Sequence, residues 1–82
     1  MYELFHDIAQ PESAAVRRFI VEHGHKERVS FRNVSSDEAR ADFVARGGTT
    51  TPALWDGDQL VVGEAAIVAR LSSIAHCVIV EA

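Results

Sequence analysis

The side chains that could do chemistry in this chain sit in a few short stretches, and their types narrow what that chemistry can be. Gln10-Pro11-Glu12-Ser13 sets an amide and a hydroxyl three residues apart around a proline suited to the first turn of a helix. Gln10 can donate and accept hydrogen bonds but cannot attack an electrophile, so it is a polar contact for a ligand or a solvated loop residue. Ser13 either donates a hydrogen bond to a bound group or helps to cap the helix. Thr51 precedes Pro52 and is biased towards extended backbone, where its N–H and C=O could pair with a peptide-like ligand as an added strand. The alternative is that Pro52 simply shapes the turn into the next strand. Glu64 opens a helix, and its carboxylate there is already accounted for by the helix dipole. Cys77 is the single cysteine, which excludes an internal disulfide, two-cysteine thiol–disulfide chemistry and any multi-cysteine zinc site. It reads as a small buried hydrophobe, or as a thiol that links two chains or becomes glutathionylated. His23-Gly24-His25 is a poor metal pair, because a helix ends between the two imidazoles and no acid or thiol stands beside them.

These residues must be held by regular elements, and the pattern of the chain supplies them. Tyr2-Glu3-Leu4-Phe5-His6 reads as a first strand. Over residues 12–23, Ala15, Val16, Phe19 and Ile20 recur at helical spacing, and Gly24 is a stop. The Arg17-Arg18 pair reads as the solvated side of this helix. Residues 29–34 alternate apolar and polar as a half-buried strand does. Ser35 and Glu38 make a capping box for a second helix with Ala39 and Phe43 on one face, ended by Gly47-Gly48. Asp56-Gly57 is a hairpin signal between Pro52-Ala53-Leu54-Trp55 and Gln59-Leu60-Val61-Val62. Trp55 reads as packing. Gly63-Glu64 then opens a third helix carrying Ala66, Ile67, Ala69, Arg70, Leu71 and Ile74. The order is β-α-β-α-β-β-α in one α/β domain, residues 1–82. Two strand–helix–strand crossovers imply parallel pairing, while the hairpin demands an antiparallel pair, so the sheet is mixed. His76-Cys77-Val78-Ile79-Val80 is rich in β-branched residues and is expected to form an extra C-terminal strand, a place where a second copy could pair.

Composition removes several classes of function. The net charge of −4 offers no basic face for phosphates, so no nucleic-acid partner is expected. No apolar run approaches the roughly 18–20 residues of a membrane span. The first residues lack a basic segment followed by an apolar one, so the expected location is the cytoplasm.

The element order, with Pro11 at the first helix start and Thr51-Pro52 before the hairpin, resembles the thioredoxin-like fold. More closely it is similar to glutaredoxins and the amino-terminal domain of glutathione transferases, over about residues 2–74. Gln10-Pro11-Glu12-Ser13-Ala14-Ala15-Val16-Arg17 lines up with the transferase pattern Ser-Pro-x-Ser-x-x-Val-Arg and with the glutaredoxin Cys-Pro-x-Cys. Thr51-Pro52-Ala53-Leu54 matches Val-Pro-x-Leu, whose proline is cis in that family. Asp56-Gly57-Asp58-Gln59-Leu60, followed by Glu64-Ala65-Ala66-Ile67, resembles the stretch ending Glu-Ser-x-Ala-Ile. The departures are chemical. Gln10 stands at the nucleophile position, Ser13 at the second cysteine and Ala65 at the serine after the glutamate, and the helical second domain of the transferases is missing.

The resemblance implies a ligand site made of Gln10, Ser13, Thr51, Pro52, Glu64 and Ala65, with no catalytic residue and no metal. The cysteinyl part of glutathione would dock at Thr51, and its γ-glutamyl end at Glu64 and the adjacent amides, weakened by the donor lost at Ala65. Ser13 would then meet the ligand's sulfur. His6, near the same place, is a base or a structural histidine. The expected function is binding of glutathione-like thiols, or of a protein partner, without dithiol redox activity. The alternatives are a glutathione-dependent reductase or transferase that uses the substrate's own thiol, and a structural homodimer joined through the tail. Glutathione is the one cofactor this implies.

Overall fold

A computed structural model describes the backbone of residues 2–81 and the side chains of residues 2–73. Strand β1 (Tyr2–His6) leads into helix α1 (Pro11–Glu22), strand β2 (Val29–Asn33), helix α2 (Asp37–Ala45), the hairpin β3 (Ala53–Trp55) and β4 (Leu60–Val62), and helix α3 (Glu64–Glu81). The expected α/β class, element order and mixed sheet are found, with four strands in the order β2-β1-β3-β4.

Alternation along β1 decides the layers, because successive side chains leave a strand on opposite faces. Leu4 joins Val16 and Ile20 of α1, Val29, Leu54, and Ile67 and Leu71 of α3 in one core. Phe5 points the other way and packs with Phe43 of α2 and Ala53, flanked by Val34, Trp55 and Leu60. Helices α1 and α3 therefore cover one face of the sheet and α2 the other. Burying each large apolar side chain in these clusters contributes about 1.5–3 kcal/mol, so neither face is dispensable in so short a chain.

Strand direction differs from expectation at one crossover. β1 and β2 are parallel, with Tyr2 opposite Val29 and His6 opposite Asn33. The second crossover does not give a parallel pair: β3 runs antiparallel to β1, with Glu3 opposite Trp55 and Phe5 opposite Ala53. A helical crossover imposes parallel pairing when its strands are neighbours, and β1 lies between β2 and β3. β4 then returns antiparallel to β3, Ala53 opposite Val62. In consequence the end of β1, the start of β3 and the end of β4 all lie at one end of the sheet.

The ends of the elements are mostly where the sequence puts them. α1 stops at a Gly24 in the left-handed region, φ +74°, which a side chain would disfavour. The Asp56-Gly57 hairpin is closed by Asp56, whose Oδ1 accepts from the Asp58 and Gln59 amides while Oδ2 accepts from Arg70 of α3 at 2.9 Å. These amide donors, with Arg70 beside them, hold the Asp56 carboxyl below its usual range. The capping box at Ser35 is not formed. Ser36 is the N-cap of α2 without a side-chain bond, and the Ser35 amide instead donates to Asn33 Oδ1.

The largest correction concerns the tail. Residues 76–80 are not a fifth strand: they continue α3, which runs 18 residues to Glu81. β-branched residues lower helix propensity only slightly, and no glycine or proline follows Gly63 to stop a helix already nucleated. The pairing of two tail strands loses its basis with the strand. The role of the Cys77 side chain lies outside the described residues. No helix among the described residues is long and apolar enough to cross a membrane.

Candidate functional site

Because β3 runs opposite to β1, Thr51 arrives beside the loop that joins β1 to α1. Three of the residues expected in a site meet there. Gln10 Oε1 accepts from the Ser13 hydroxyl at 2.6 Å and from the Thr51 hydroxyl at 2.9 Å. One amide oxygen thus ties the start of α1 to the segment before β3, across 41 residues of sequence.

Ser13 caps nothing. The N-cap of α1 is Gln10, in extended backbone and with no side-chain cap bond, and Pro11 fills the first helical position. Ser13 is fully buried and its Oγ accepts from the Asp7 amide at 3.2 Å while it donates to Gln10. Both Oε1 bonds of Gln10 are accepted ones, so the donors that this half-buried residue can offer a ligand are the two hydrogens of Nε2. Around them lies the partial positive charge of the α1 N-terminus, opposed by the exposed Glu12 in its first turn.

Pro52 is buried, and the Thr51–Pro52 bond is cis. The Pro52 carbonyl accepts from the Gly63 amide at 3.0 Å, which sets the start of α3 next to the same loop. Glu64 and Ala65 follow immediately and are exposed, with no side-chain bond to the Gln10 cluster. The ladder of β3 begins at Ala53, so the Thr51 backbone lies just outside it.

A second polar layer lies under the loop. His6 is buried, and its Nδ1 is 3.0 Å from Nη1 of Arg17. A guanidinium only donates, so Nδ1 accepts and the ring is neutral with its proton on Nε2. Burial first, then the charge of Arg17, lowers the His6 pKa below 6.5, with Asp7 opposing. Nothing about His6 favours a base at Nδ1. The same Nη1 reaches the Asp7 carbonyl at 3.4 Å, so Arg17 is not part of a solvated face, whereas Arg18 is exposed. The signal for this was present: Arg17 is four residues after the buried Ser13 and shares its side of the helix. Asp7, through its backbone, was the other member not foreseen.

On the α2 side, Glu3 accepts from Arg32 and, at 2.8 Å, from Arg46, while Arg32 also donates to Asp42 at 2.7 Å. Arg46 lies 4.8 Å from the Trp55 ring centre. Beside this network a cleft of about 360 Å³ is lined by residues that include Phe31, Arg32, Glu38 and Asp42. Its arginine, Arg32, is already paired with Glu3 and Asp42, so the cleft offers no free cation to select an anionic ligand. Among the described residues no three His, Cys, Asp or Glu side chains come together as a metal site. Set against family models, curated proteins and solved structures, the chain matches none of them.

Proposed function

We propose that the chain is a thioredoxin-like binding domain, degenerate at the nucleophile position, that takes small thiol peptides of the glutathione class. The observation that carries this reading is the pair of hydroxyl bonds onto Gln10 Oε1, which unites Gln10, Ser13 and Thr51 at the N-terminus of α1. The element order and the mixed sheet support the finer fold assignment. The ligand's backbone would pair with Thr51, and its sulfur would face Gln10 Nε2. Glu64, one residue beyond the Gly63–Pro52 bond, would meet the ligand's amino end. Under this reading the domain works without a dithiol of its own, because Gln10 is not a nucleophile and Cys77 is the one cysteine of this sequence.

Titrating reduced glutathione into the labelled chain while following backbone amide shifts tests the reading. Saturable shifts at Ser13, Thr51 and Glu64 are expected, and no shift at millimolar ligand would overturn it. A protein partner is the second reading. It is favoured by Ile8, a large apolar side chain 64% exposed in the loop just before Gln10. Under that reading glutathione leaves the spectrum unchanged.

A further inference from the structure

The buried layer beneath the site is connected to it bond by bond. Arg17 Nη1 donates to His6 Nδ1 and to the Asp7 carbonyl. The Asp7 amide donates to Ser13 Oγ, Ser13 donates to Gln10 Oε1, and Thr51 donates to the same oxygen. Asp7 also accepts from the Gln10 amide at 3.1 Å and, through Oδ1, from the Ala9 amide at 3.0 Å, so this residue pins the loop from both sides. We propose that His6 is an acid-sensitive latch for this loop: protonation of its imidazole expels the Arg17 guanidinium and slackens the chain of hydrogen bonds that ends at Gln10 and Thr51.

The reason is that an imidazolium donates from both nitrogens. Its Nδ1–H would then face an Arg17 N–H at the present 3.0 Å, donor against donor and charge against like charge. The ring cannot turn away freely, because it is buried and packs edge-on against Phe31 of β2, with ring centres 5.7 Å apart. The groups that face it are Arg17 from α1, Asp7 next in the chain, and from β2 Phe31 and the register partner Asn33, neither of which titrates. Arg17 must therefore move, and the Asp7 carbonyl loses that donor with it. The proton is taken up below the ordinary imidazole value of 6.5, since burial and Arg17 both oppose it. The latch regulates the site proposed above, yet it is tested with no ligand present, so failure of one does not bear on the other.

The experiment follows the His6 ring nitrogens, the Ser13 and Thr51 amides and the Gln10 side-chain amide of the full chain from about pH 8 to about pH 5. One common midpoint below 6.5 is expected. His6→Asn keeps an acceptor towards Arg17 without titrating, and should abolish the movement of the site amides at that midpoint. Arg17→Gln removes both the opposing charge and the group that is expelled, and should carry the His6 midpoint up towards 6.5 while the site amides no longer move with it. If His6→Asn does not fold, Arg17→Gln decides. Site amides that stay still in the wild type while His6 titrates, that still move with His6 in Arg17→Gln, or that follow His25 in every variant, would overturn the proposal.

Discussion

Ser13 has no exposed surface, and its Oγ is the acceptor for the Asp7 N–H, whereas Gln10 Oε1 also accepts from Thr51. Ser13→Ala should leave the Asp7 N–H unpaired and cost about 1–3 kcal/mol in urea unfolding, more than an exposed serine would. His25 makes the opposite case. It is 4% exposed with Nε2 unpartnered, and burial, then Arg28 and His23, lower its pKa. The unfolded chain therefore takes up this proton first as pH falls. Stability is complete above about 6.5 and is lost as pH drops from there through the lower folded-state value, with His6 adding in the same direction. The urea midpoint should fall between pH 7.5 and pH 5.5, and fall less in His25→Phe, which keeps a ring against Phe19. Gln10, Ser13 and Thr51 could be picked out in advance because a proline stands beside or between them. Arg17 was missed although its spacing from Ser13 puts both on one side of the helix, because Arg18 next to it made the pair look solvated.

Element boundaries were legible wherever a residue imposes its own backbone, as Gly24 and Asp56-Gly57 do. Strand direction was not, because no residue in β3 states which neighbour it will take. That direction is what assembles the site: a parallel β3 would carry Thr51 to the far end of the sheet from Gln10. The tail misled for another reason, since β-branched composition is a weaker vote than the absence of any stop signal. Val78→Pro should lower helical ellipticity by about a turn and leave the β signal intact, because proline removes a bond from a helix interior. A loss of ellipticity confined to the β signal would contradict the helix. Earlier in the chain α2 depends on one glycine. A Cβ on Gly48 would overlap the Phe43 ring, which is buried and tilted against Phe5 with centres 5.1 Å apart. Gly48→Ala should cost about 3 kcal/mol or leave the chain unfolded, as overpacking a small core does, with thermal melting as the measure.

Across the whole molecule the two faces of the sheet are held by different physics. The α1–α3 face joins an apolar core to the hydrogen-bonded layer around His6, whereas α2 adds ion pairs that bridge β1, β2 and its own C-terminus. Glu3 is the hub, one-fifth exposed and bonded to two arginines. Glu3→Gln should cost about 1 kcal/mol, with a gap from the wild type that narrows in concentrated salt, because a pair that solvent still reaches is screened. An unchanged gap at high salt would mean that packing, and not charge, holds α2. The same hub has an optical consequence. Trp55 is the single tryptophan, and it sits under Arg46 on the α2 side, so all indole emission arises at that face. Far-ultraviolet dichroism instead sums over every helix. If the charged face lets go of α2 before the apolar face opens, emission changes at a lower denaturant concentration than ellipticity does, and the chain reports the order in which its own layers part with no label attached.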